Sequence, residues 1–262
     1  MLPDERTFSS CGSQGRSLTP TDRPHCILGV RRVCLTQVMH PSGLNMPLEE
    51  FGPFSSAFER LESKVPGHLA LLNLRNEDVE VALMRVRNAV QNPNWELYAK
   101  VCFSHPNWRP HLVAGCALLY MPSEVVLPAL WQAFDSGSWV APQLAVVGYF
   151  SDAKFGERAK SRIEAGCPVC PPQGMTAAER HSATGPAGIA ERSAKNMASL
   201  LNMCARSAEL SSWAKEIRTQ PDVSQMLEYD MDRSADIAEN WLQRVSQLFA
   251  RQGLTLSPAC QQ

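Results

Sequence analysis

Cys167 and Cys170, three positions apart, form the sharpest local constellation of reactive side chains in the sequence. Two thiolates at Cys-x-x-Cys spacing supply half of a tetrahedral zinc site, or act as a dithiol where a neighbouring cation or helix dipole lowers one thiol pKa. Zinc needs two more donors, and downstream only His181 and Cys204 lie at useful distance, neither in a second close pair. A dithiol centre opens a helix beside a strand, whereas Pro171-Pro172 follows here and no βαβ pattern surrounds it. Cys167 and Cys170 are therefore weak metal candidates, best read as part of a Cys/Pro-rich linker, and no cofactor is implied.

The other groups that could do chemistry are dispersed. His25, His40, His68, His105, His111 and His181 form no close pair, and His105 and His111 stand six positions apart, a spacing that suits neither turn of a helix. No HExxH, Walker, GxSxG or GxGxxG pattern occurs in a strand-to-helix context, so no catalytic residue is assigned. An enzyme would need a site assembled from distant positions, with Glu96, Asp135, His111 and Arg109 as its participants. Arg109, Lys154, Arg158 and Arg162 are the candidate binding residues. If they line one continuous groove they would suit nucleic acid, and if they project to different sides that alternative fails. Glu228, Asp230, Asp232, Asp236 and Glu239 make a contrasting acidic run, which reads as a steering surface or simply as a solvated face.

Charge and composition narrow the partners. Lys+Arg number 25 against 26 Asp+Glu, a formal net charge of -1, which does not favour a polyanion ligand. The longest apolar runs, 112–120 and 141–150, are interrupted by Gly115 and Gly148 and fall well short of the roughly twenty residues that cross a bilayer. The opening residues lack the apolar centre of a secretory signal, and the odd set of 9 cysteines is scattered rather than framed, as expected for reduced thiols in the cytoplasm.

The elements that must position these residues are helical. Residues 1–45, rich in Ser, Pro, Gly and Arg, are expected to be a disordered lead or a mis-annotated start, since Met39 and Met46 are also plausible starts. From Leu48 onward, Phe51, Phe54, Phe58 and Leu61 recur as one helical face, and a helix capped by Asn76 carries the stripe Val79, Ala82, Leu83, Val86 and Val90. The centre repeats itself. Pro93-Asn94-Trp95 returns as Pro106-Asn107-Trp108 and, loosely, as Gly137-Ser138-Trp139; two of these lead into a Pro-x-Leu, at 110 and 142, and an apolar helix followed by a second helix. The two Pro-x-Leu units are 32 residues apart (110 to 142), within the period of helical-hairpin repeats. Gly137 and Gly166 mark left-handed helix ends. The expected organisation is a hairpin domain over 46–166, a Cys/Pro/Gly linker over 167–186, a C-terminal helical region over 187–253 and a tail over 254–262.

Trp108-x-Pro110-x-Leu112 and Trp139-x-x-Pro142-x-Leu144, each opening a helix pair, resemble HEAT-like α-solenoid repeats over about residues 76–166. The resemblance implies an all-α fold, a short right-handed stack of helical hairpins with additional C-terminal helices, and a surface that holds a protein partner in an adaptor, scaffold or immunity-like role. In that fold the tryptophans are wedges between helices rather than stacking platforms.

Overall fold

Periodicity becomes helix almost everywhere it occurs in the protein, a computed structural model of which describes residues 47–75, 77–170 and 186–259. These all belong to one compact unit. A 3-10 segment, Leu48–Phe58, leads to α1 (Gly67–Asn73), α2 (Val79–Ala89), α3 (Trp95–Ser104), α4 (Trp108–Tyr120), α5 (Leu127–Asp135), α6 (Ala141–Ser151) and α7 (Phe155–Glu164). After residues 171–185 come α8 (Pro186–Arg206), α9 (Ser211–Arg218), α10 (Pro221–Leu227) and α11 (Ser234–Arg251). The fold is all-α, with no strand among the described residues. The expected lead at 1–45, the Asn76 cap, His181 and the end of the tail lie outside the described residues.

Local chemistry explains most boundaries. Asn107 caps α4, its Oδ1 accepting from the Arg109 amide at 3.1 Å. Pro128 and Pro142 sit in the first turns of α5 and α6, where a missing N–H leaves no helical bond unmade. Gly137 and Gly166 take φ of +74° and +76° just past the ends of α5 and α7, a conformation that a Cβ disfavours. The start differs from the expected α-helix. Phe51, Phe54, Phe58 and Leu61 are all buried as the pattern requires, but Gly52 at φ +53° and Pro53 break the backbone into 3-10 turns around them. Residues 207–233 hold two short helices, α9 and α10, where periodicity suggested only a break at Pro221.

α6 sits at the middle of the molecule. All of its residues are buried, because α4 packs on one side, α8 on the next, α11 on a third and α5 beside them. A helix apolar all round is stable only where neighbours surround it. α4, α6 and α8 thus form one row and α3 and α5 begin a second, with α7 against α8. The helices after residue 186 are not appended to this core but complete it. Leu200, Leu201, Trp241, Val245 and Phe249 belong to the same buried cluster as Leu112, Leu144 and Val147. α11 runs back to the first helices, where the Trp241 indole donates to Leu71 O at 3.1 Å, Arg244 to Asn73 O at 2.8 Å, and Phe249 stacks on Tyr120 with centroids 4.5 Å apart.

Two members of the acidic run, Asp232 and Glu239, tie α11 and the turn before it to α8, while Asp230 and Asp236 bond locally. Asp230 accepts from the amide and hydroxyl of Ser234 at 2.7 and 2.6 Å, Asp232 pairs with Lys195 at 2.5 Å, Asp236 with Arg233, and Glu239 with Arg206.

Candidate binding surface

A groove of about 940 Å³ opens on the outer side, between the end of α3, the length of α5 and α7. Phe103, Pro128 and Trp131 make its apolar floor, and Ser104, His105, Gln132, Asp135, Arg158, Arg162 and Cys170 its polar wall. The helix pattern dictates this arrangement. On α7 only Phe155, Ala159 and Ile163 are buried, so Arg158 and Arg162, one turn apart, project together toward α5.

Both arginines are already engaged. Arg162 clamps Asp135 with Nε to Oδ1 at 2.7 Å and Nη2 to Oδ2 at 2.8 Å, and its guanidinium lies 4.4 Å from the centroid of the Trp131 ring. Arg158 reaches Asp152 at 3.2 Å. Asp152, fully buried at the break between α6 and α7, also accepts from the Trp131 indole at 2.7 Å and from the Lys154 amide at 2.9 Å. Nothing in the pattern of the sequence marks Asp152, since a lone Asp after a helix reads only as a cap.

The four basic candidates do not converge. Arg158 and Arg162 line the groove, Lys154 is exposed and does not line it, and Arg109 lies at the start of α4, 5.0 Å from the Trp108 ring centroid and near His68, whose pKa burial lowers first and this guanidinium lowers further. The continuous groove required for a nucleic-acid surface is not formed.

The residues considered for chemistry hold the fold together instead. His111 is buried between Ser138 Oγ, 2.8 Å from Nδ1, and His105 O, 2.6 Å from Nε2. A carbonyl only accepts, so Nε2 carries the proton and Nδ1 accepts from the hydroxyl; burial holds this ring neutral, its pKa lowered to about 4. Glu96 accepts from Ser123 Oγ at 2.5 Å. Cys167 is buried with its thiol pushed up to about 12 by desolvation, while Cys170 is exposed on the groove rim. Their segment works through its backbone. The Cys167 amide donates to Arg162 O at 2.7 Å and the Cys170 amide to Asp135 O at 2.9 Å, satisfying carbonyls at the ends of α7 and α5. Cys204 is buried on α8, its thiol also raised to about 12, and among the described residues no group of three His, Cys, Asp or Glu could hold a metal ion.

A second, smaller hollow of about 200 Å³ adjoins the groove, sharing Ser136 with it. Trp108 and Trp139 face each other there with centroids 5.0 Å apart, and Arg192 from α8 forms one wall. The four central tryptophans therefore divide. Trp95 and Trp131 are buried wedges, Trp108 is half-buried, and Trp139 is 54% exposed. Arg192 and Lys195 could not be associated with these tryptophans from sequence, because they come from a helix more than 50 residues further on.

The fold and surface thus define an all-α protein with an outer groove and an aromatic hollow beside it. No protein-family model matches the chain, and no curated protein or solved structure matches it either. No described helix is long and apolar enough to cross a membrane.

Proposed function

We propose that the chain is a noncatalytic protein-binding module of the HEAT-like helical-repeat type, acting as an adaptor, scaffold or immunity-like protein in the cytoplasm. The observation that carries this reading is the groove between α3, α5 and α7. It is large, open and mixed in polarity, and its charged groups already neutralise one another, so it offers shape and hydrogen bonding rather than an activated acid or nucleophile. The side-by-side order of α4, α6 and α8 supports the repeat resemblance. The enzyme alternative draws on the meeting of Asp135 with Arg158 and Arg162 in one groove. Against it, both oxygens of Asp135 are held by a single guanidinium, His111 is locked as a buried neutral ring, and the buried thiols are raised far above neutrality.

The test uses the full chain as bait in native lysate beside a variant with Ser104→Trp and Gln132→Trp, two exposed wall positions whose enlargement fills the groove without entering the core. A stoichiometric protein partner captured by the native chain and lost from the filled one is expected, with both melting at the same temperature. Capture that is indifferent to the filling would remove the groove from the interface.

A further inference from the structure

We propose that the Trp108–Trp139 hollow is the point where an acidic segment of the protein partner docks, its carboxylates meeting Arg109 and Arg192 and its backbone or side chains lying on the exposed Trp139 ring. This deepens the binding-module reading and rests on it.

The charge balance at this place is the reason. Arg192 lines the hollow, Arg109 lies behind its lining residues, 5.0 Å from the Trp108 ring centroid and bonded to Asn107, and Lys195 lies 5.9 Å from the Trp139 ring centroid. Lys195 is neutralised by Asp232. Neither arginine has a carboxylate within ion-pair distance among the described residues. Arg109 bonds only the neutral Asn107 side chain, and its Nε is buried without a partner; Arg192 donates to the Gly137 carbonyl at 3.2 Å. Arg158, Arg162, Arg206, Arg233 and Arg251 each have a carboxylate, and what distinguishes Arg109 and Arg192 from the other arginines without one is their place beside the tryptophan pair. Two uncompensated guanidinium groups beside a pair of tryptophans, one of them half in solvent, have the composition of an interface hot spot, where Trp and Arg dominate. The partner chemistry that complements them is carboxylate.

Shape and net charge select a protein segment over other anions. The hollow is open and, at about 200 Å³, smaller than pockets that enclose a small ligand, so an anion held there needs further contacts supplied by its own chain. Nucleic acid would need a run of free cations, whereas the adjoining groove carries arginines already matched by Asp135 and Asp152. A peptide lying along the shared Ser136 edge would reach both hollows.

Selection of a random peptide library on the full chain tests this, followed by fluorescence anisotropy of the enriched peptides and, separately, of a single-stranded oligonucleotide. Enrichment in Asp and Glu is expected, with affinity falling about tenfold or more in Trp139→Ala and in Arg109→Gln/Arg192→Gln, and weakening as salt rises. Trp139 is 54% exposed, so its truncation leaves the melting temperature within a few degrees of the native value. Peptides without acidic enrichment, binding that survives both variants, or oligonucleotide binding as tight as that of any peptide would each overturn the proposal. If the lysate partner of the groove is retained while Trp139→Ala changes nothing, the binding-module reading stands and this inference alone falls.

Discussion

The consecutive helices α4 and α5, and after them α6 and α7, open on loosely similar sequences and use them differently. In the first, Trp108 is the initial residue of its helix, two before Pro110, and is half-buried. In the second, an extra residue separates Trp139 from Pro142, so that Trp139 stands before the helix begins at Ala141 and lies 54% exposed. The polar residue ahead of each tryptophan diverges in the same way. Asn107 bends back to cap its own helix, whereas the Ser138 hydroxyl crosses to His111 and ties the connection before α6 to α4. The one-residue offset between the two openings thus leaves Trp108 half-buried and Trp139 exposed, and puts a long-range contact where the first opening has a cap. The second helices diverge as well: α5 buries Leu127, Leu130, Trp131 and Phe134, but α7 buries little and turns its arginines toward the groove.

The sharpest way to break the comparison is at the connections from α4 to α5 and from α6 to α7. Asp152 and Ser123 both reach back to the second-row helix of the preceding unit, Asp152 to Trp131 on α5 and Ser123 to Glu96 on α3. They differ in charge and burial. Asp152→Ala removes a fully buried carboxylate and leaves Arg158, the Trp131 indole and the Lys154 amide without their acceptor, a loss expected to cost about 3–5 kcal/mol. Ser123→Ala removes one neutral hydroxyl, from a buried serine whose acceptor Glu96 is only half-buried, and should cost about 1 kcal/mol. Urea denaturation of both variants checks the ratio; equal losses would mean that the two connections are equivalent and that the groove does not depend on Asp152.

The contact of Ser138 with His111 should appear as a pH dependence. His111 and His68 have folded pKa values lowered to about 4 by burial, against 6.5 for the free side chain. As pH falls below about 6.5 the unfolded chain takes up protons that the folded chain refuses, so the stability contributed by keeping these rings neutral is complete above that value and declines until about pH 4. At about 1.4 kcal/mol per pKa unit, the two rings together are worth several kcal/mol over this window. Chemical denaturation from pH 7.5 to 4.5 should therefore show a steady fall in stability, about halved in slope by His111→Gln. A slope unchanged by that substitution would place the dependence on His68 or on carboxylates instead.

How much of this was legible in the sequence depends on whether the signal is local. The stripe through Val79 and Val86, the prolines at 110 and 142 and the glycines at 137 and 166 are all local signals, and the helices they predict are present. Asp152 as a shared acceptor, α11 returning to α1, and Arg192 beside Trp139 are pairings between distant residues, which periodicity does not encode. The same limit explains the basic candidates. Arg158 and Arg162 share a face because they are four apart on one helix, while Arg109 and Lys154 are placed by tertiary packing that no spacing reveals. The segment Leu48–Phe58 forms 3-10 turns because Gly52 and Pro53 interrupt a stripe whose residues are nevertheless buried as its spacing requires.

The smallest expected effect is also the finest comparison. His111 and Gln143 each follow the proline of a Pro-x-Leu opening, and both are buried polar residues in the middle of apolar helices. Both ring nitrogens of His111 are bonded, but Gln143 makes one long contact, Nε2 to Leu72 O at 3.4 Å, and leaves Oε1 buried without a partner. An unmet acceptor costs about as much as a hydrogen bond gains, so the same substitution should have opposite signs at the two places. His111→Met strands the Ser138 hydroxyl and the His105 carbonyl and should destabilise by about 1–3 kcal/mol. Gln143→Met keeps the volume, removes the unmet oxygen and should be neutral or stabilising by up to about 1 kcal/mol. A Gln143→Met variant that loses as much stability as His111→Met in thermal denaturation would show that Oε1 has a partner in solution, an ordered water being the simplest, and that the two openings are energetically alike after all.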